Sequence, residues 1–382
     1  MRRVGVFALL PWLLLAAAGC SAAPEGETAG APAEPRIFRG EAWPAADALF
    51  RADRRWLGAD SAYSVPLGDD RILWLFGDTF VAMTDPPTRQ EARMVRNSVA
   101  IQRGRCPTDA SIRFHWGEGE DGAPEAFATV PGDRWLWPLH GIVLEGELTL
   151  FFMRETRAGG LGFETVGWEA FRVPNPEAQP PDWTLEPLEG FESPFPVVVG
   201  AAVLRWRGHV YAYAVREPGA HRVYLVRWDR AAFARGDLST PRWYAGEDGW
   251  VAHDALQGSP TAVIDEGQVE LSVSLHRSVG RFVQVQSLGF GATTIGARTA
   301  PGPAGPWTDA EVVFEPPESA RSDALVYAAK GHPGLRCEGQ EGGLAVTYVA
   351  NARRPADVLG EPSLYYPRFV RVWKDGARSS VP

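Results

Sequence analysis

The chain has 382 residues, with 38 basic against 47 acidic side chains, a formal net charge of −9, and 45% apolar content. That balance argues against nucleic acid as a partner and favours a neutral or cationic ligand. Its 41 glycines and 32 prolines, together with scarce helix-period patterns, point to many short strands.

Arg2 and Arg3 precede an apolar run of about sixteen residues that ends in "LAAAGC". The run is too short for a comfortable membrane span, which needs about 20 apolar residues, and reads as an export signal over residues 1–19. Small residues before Cys20 resemble a bacterial lipobox, which makes Cys20 the expected lipid-modified N-terminus and the cell envelope the expected location. An ordinary cleaved signal with an incidental cysteine is the alternative. Residues 20–37 are nearly free of large apolar side chains and read as a flexible tether. Without Arg2 and Arg3 the balance becomes 36 basic against 47 acidic, or −11.

Residues 38–376 read as one all-β domain. A turn followed by an apolar run occurs five times: "GDDRILWLFGD" (68–78), "EGELTLFFMRE" (145–155), "RGHVYAYAVRE" (207–217), "EGQVELSVSLH" (266–276) and "GGLAVTYVAN" (342–351). Three runs are almost continuously apolar, so both faces of those strands must be covered. Five radial blades of a β-propeller meet that requirement; a β-sandwich would give stricter alternation on its outer faces.

Nine residues after Asp69, Gly146, Gly208, Gly267 and Gly342 stand Asp78, Glu155, Glu217, His276 and Asn351. In a ring of blades these polar ends converge on one face. Asp60 lies nine residues before Asp69, so an antiparallel hairpin sets it beside Asp78. Two close carboxyl groups in a sheltered cleft separate their pKa values, giving one acid and one base or nucleophile. Glycoside hydrolysis uses that division of labour, and adjacent hairpin positions favour the short separation that goes with retention of configuration. The alternative is one aspartate capping a turn or pairing with Arg93 or Arg96, leaving a single useful acid.

The remaining expected contacts with a polysaccharide are Glu155, Glu217, Trp137, His140, His276, Arg277, His332 and Asn351. Trp137 stands nine residues before Gly146, the place that Asp60 takes in the first blade. For His276 and Arg277, a blade-to-blade hydrogen bond is an equal alternative. No cofactor is expected, although an oxygen-rich rim leaves bound calcium open. Cys106 and Cys337 fall in the first and fifth blades, neighbours in a closed ring, and a disulfide there would tie it shut.

The stretch "GADSAYSVPLGDDRILWLFGDTF" resembles the first blade of a family of exported bacterial five-bladed propellers, long described as a domain of unknown function, some of whose members are endo-D-arabinanases. "GPAGPW", "AAKGHPGL", "LAVTYVAN" and "YYPRFVRV" resemble the family's closing motifs, and the likeness runs over about residues 53–373, weakly through the middle. It implies that Asp60 and Asp78 are the catalytic pair and that the substrate is an arabinan-like polysaccharide of the envelope. A non-catalytic surface lipoprotein binding glycan or protein is the competing reading.

Overall fold

A computed structural model describes residues 38–374, apart from 160–161, 194, 218, 290–292 and 340–341. Cys20, the export signal and the tether before Phe38 lie outside the described residues. Five antiparallel sheets follow one another along the chain. Blade one comprises strands Tyr63–Gly68, Arg71–Phe76, Ser98–Arg103 and Ser111–His115, in that order from the inside outward. Blade two comprises Arg134–Leu144, Glu147–Thr156, Glu164–Val173 and Glu186–Leu188. Blade three begins with Val198–Trp206, His209–Val215 and Val223–Asp229, and blade four with Leu271–His276, Arg281–Leu288 and Thr294–Ala300.

Blade five closes the ring. Ala324–His332, Leu344–Ala352 and Pro367–Lys374 come from the end of the chain, and Phe38–Ala42 from its start adds the outermost strand. Each innermost strand touches the next, and that of blade five returns to blade one, so the fold is a five-bladed β-propeller. Both faces of Arg71–Phe76 are covered, as its unbroken apolar run requires.

Aromatic side chains fill the closing seam. Phe50 stacks on Phe369 at 5.1 Å and meets Trp74 edge-on at 4.9 Å, while Trp56 stacks on Phe114 at 4.5 Å. Cys106 and Cys337 are bonded across the same seam, with Cα atoms 4.5 Å apart and a separation of 231 positions in sequence.

The fourth repeat departs from the sequence reading. "VELSVSLH" is not the second strand of a hairpin turning at Gly267; Leu271–His276 is the innermost strand, and its hairpin turn follows at 277–280. The turn residues are "RSVG", with Gly280 at φ 68°, and the true second strand is "RFVQVQSL". A one-strand shift reverses the direction of the run and sends its polar end to the opposite rim.

Candidate functional site

Blade one builds the site by breaking three long strands at one level. Trp56–Ala59 gives way to Tyr63–Gly68, Arg71–Phe76 to Thr79–Ala82, and Ala92–Val95 to Ser98–Arg103. The breaks hold Asp60, Asp78 and Arg96. Pairing is in step on both sides of the gap, with Ala59 opposite Thr79 and Tyr63 opposite Leu75, so Asp60 and Asp78 face each other across it. Ser61 (φ 65°) and Ala62 (φ 56°) adopt the left-handed region to turn the chain there, a conformation costing about 1 kcal/mol or more per residue. The Asp60 carbonyl accepts hydrogen bonds from the Ala62 and Gly77 N–H groups at 2.9 and 3.2 Å.

The two carboxyl groups have different surroundings. Asp78, 2% exposed, accepts the Trp137 indole N–H at 2.8 Å and pairs with the Arg96 guanidinium at 3.1 Å. Burial pushes its pKa up, while Arg96 and Trp137 favour the ionised form. Asp60 is half-buried and accepts the Tyr327 hydroxyl at 2.9 Å, and among the described residues no cation is bonded to it. Burial, then the charges of Glu270 and Asp78, hold Asp60 well above the usual carboxylate range. Asp60 is therefore the more readily protonated of the two, and Asp78 the more readily ionised.

The aspartates are braced by the closing blade. Asn351 donates to the Tyr327 hydroxyl at 3.2 Å, and the Tyr365 hydroxyl donates to the Asp78 carbonyl at 3.0 Å. Glycine is needed twice here: a Cβ on Gly77 would stand 2.3 Å from Asp60 Oδ1, and one on Gly58 2.2 Å from the Tyr365 carbonyl oxygen. Asn351 thus orients a tyrosine that holds Asp60.

Glu155 is fully buried and accepts the Thr165 hydroxyl at 2.8 Å with Oε1; among the described residues, its Oε2 has no hydrogen-bond partner. Burial, reinforced by the charges of Glu217 and Asp78, raises its pKa to about 8 despite the Thr165 bond. Glu217 is buried and bonded to His221. His221 gains affinity for its proton from that bond.

Other expected contacts have different places. Trp137 is buried, edge-on to Phe163 at 4.8 Å and 6.0 Å from the Trp135 ring, so its indole serves Asp78 rather than offering a free face to a sugar. An irregularity between Pro138 and Gly141 also shifts the register, so that Trp135, not Trp137, pairs with Glu155. His140 sits in that irregularity, accepts the Val203 N–H on Nδ1 at 2.9 Å and donates from Nε2 to the Ser64 carbonyl at 3.2 Å. It joins the inner strands of blades one, two and three, and burial lowers its pKa to about 4, keeping it neutral. His332, 1% exposed, links Ser64 and Thr347 at 2.8 Å each, a bond between blades five and one. His276 and Arg277 lie on the opposite rim because of the reversed run in blade four.

The group that blade four sends toward the aspartates is Glu270, immediately before that inner strand. It accepts a 2.9 Å ion pair from Lys330, whose ammonium is 1% exposed, donates to the Ala328 carbonyl and lies 4.5 Å from the Tyr63 ring centre. Glu270, Lys330, Tyr327, Tyr365 and His221 were not among the expected site residues. Lys330 and Tyr365 do fall within "AAKGHPGL" and "YYPRFVRV" or its first residues, and Glu270 opens an alternating run; those were the available signals. Among the described residues, no group of three or more His, Cys, Asp or Glu side chains is placed to hold a metal ion.

A closed five-bladed propeller with a paired-carboxylate mouth is the class of protein that the fold and site define. Residues 45–374 match the model of the family described as a domain of unknown function, DUF5005, and the chain belongs to that family. This agrees with the propeller family of unassigned role that both ends of the sequence resemble. No curated protein matches the chain in sequence. Among solved structures, a Bacteroides ovatus protein provisionally assigned as a hydrolase is similar at a TM-score of 0.66 and 18% identity, over 88% of this chain and 90% of that one. Arabinofuranosidases from Podospora anserina and Lactobacillus brevis align at TM-scores of 0.46, with 10% and 13% identity, over 85% of this chain and 92% of each of theirs. The Bacteroides ovatus protein shares the fold.

Proposed function

We propose that the protein is a glycoside hydrolase in which Asp60 protonates the departing glycosidic oxygen and Asp78 acts as the anionic partner. The observation that carries this reading is the unequal support of two facing carboxyl groups: Arg96 and Trp137 on Asp78, and the Glu270 and Asp78 charges acting on Asp60. The acid gives its proton to the leaving oxygen as the glycosidic bond breaks. Asp78 then bonds to the anomeric carbon, or takes a proton from an attacking water. Facing hairpin positions favour the first course, with retention. The resemblance of the two ends of the chain to a propeller family that includes endo-D-arabinanases makes an arabinan-like envelope polysaccharide the favoured substrate.

A second reading, a non-catalytic glycan-binding protein, draws on the near-complete burial of Asp78 with both its oxygens engaged. Sugar release from a panel of arabinans and related glycans separates the two. The wild type is expected to release sugar, and Asp60→Asn and Asp78→Asn each to lose about a hundredfold or more in rate. Binding without release would establish the second reading, and release that survives both substitutions would refute the assignment of the pair.

A further inference from the structure

The rim opposite the aspartates carries a separate cleft of about 730 Å³, between blades four and five. Among the described residues, four cations line it, Arg277, Arg336, Arg371 and Lys374, against one carboxylate, that of Glu338. Arg277, Arg336 and Lys374 are exposed and, among the described residues, none of their side chains takes part in an ion pair. Arg371 gives one nitrogen to Glu41 at 2.7 Å, and among the described residues its buried Nε has no hydrogen-bond partner. In a chain of net charge −9, this concentration of positive charge runs against the composition. It occupies one side of the rim, since Asp69, Asp70 and Glu145 stand at the turns of blades one and two.

The chain's entry point is an independent observation. Phe38 pairs with Lys374, at the end of blade five remote from Asn351, so the segment that precedes Phe38 joins the domain on the same rim and the same blade as the cleft. Cys20 stands only eighteen positions earlier in the sequence.

We propose that this cleft docks on the anionic lipid headgroups of the membrane that holds a lipidated Cys20, turning the mouth with Asp60 and Asp78 away from the bilayer. The proposal rests on the lipoprotein reading of "LAAAGC". Each Lys or Arg near an anionic leaflet adds attraction, and a short tether raises the effective concentration of the surface, so weak individual contacts suffice. The geometry separates the two ends of the ring: one is held, and the other is presented to polysaccharide.

The test uses residues 21–382, which retain every described strand, with vesicles of phosphatidylcholine alone or mixed with phosphatidylglycerol. Sedimentation is expected with the anionic vesicles only, weakened by added salt. Combined Arg277→Gln, Arg336→Gln and Lys374→Gln should weaken it at least about tenfold at an unchanged melting temperature. The same change at exposed Arg54, Arg93 and Arg157, toward the other end of the ring, should leave it intact. Equal binding to neutral vesicles, or indifference to the cleft substitutions, overturns the proposal. Capture of polygalacturonate or inorganic phosphate with no vesicle binding overturns it too and makes the cleft a soluble-anion site. The mass of the N-terminal peptide from native membranes reports on the anchor separately, so failure of that reading is distinguishable from failure of the cleft.

Discussion

Gly77 shows how narrowly the acid is placed. Any side chain there must displace the Asp60 carboxyl, because the added carbon would stand 2.3 Å from Oδ1. Gly77→Ala is therefore expected to cut sugar release by more than about tenfold while secondary structure, read by circular dichroism, is retained. Glu155 makes a pH prediction. Its folded-state pKa of about 8 exceeds the ordinary 4.5, so between those values the folded chain holds a proton that the unfolded chain has released. Its contribution to stability is most favourable below about 4.5, declines as pH rises, and is fully lost above about 8, by roughly a few kcal/mol at most. Thermal midpoints at pH 5 and pH 9 should differ more in the wild type than in Glu155→Gln; equal differences would show that Glu155 is not the titrating group.

At the scale of one strand, blade four decides which of its residues lie on the side of the aspartates. Its inner strand starts at the aspartates' side with Glu270 and ends on the other rim with His276. Glu270→Gln removes a negative charge that favours protonated Asp60, so the upper limb of the pH–rate profile should move to lower pH. His276→Ala should leave that profile unmoved. A shift with His276→Ala and none with Glu270→Gln would contradict the strand's direction. The sequence signal failed here because "VELSVSLH" is as good an inner strand as a second strand; both alternate, and a turn-like "EG" precedes the run while "RSVG" follows it.

The whole ring depends on joining its two ends. The strand Phe38–Ala42 completes blade five by hydrogen bonds, and the Cys106–Cys337 bond spans blades one and five. Because that bond closes a loop of 231 residues, its loss frees much chain entropy in the unfolded state. Paired Cys106→Ser and Cys337→Ser should lower stability by about 2–4 kcal/mol, seen by calorimetry as a lower melting temperature, with activity at 25 °C retained. An unchanged midpoint would mean that the seam's aromatic packing holds the ring alone.

The sequence by itself determined the all-β class, the hairpin runs of every blade but the fourth and the facing positions of Asp60 and Asp78, because strand period and distance from a tight turn are local quantities. It also displayed Tyr365 and Lys330 in its closing motifs without showing what they do. Tertiary structure alone decided that Trp137 and Arg96 secure Asp78, that Tyr327 and Glu270 act on Asp60, and that His332 and His140 join blades. Those relations link residues up to 268 positions apart, as His332 and Ser64 are. Only closure of the ring brings such side chains into contact, and closure is a property of all five sheets packing together.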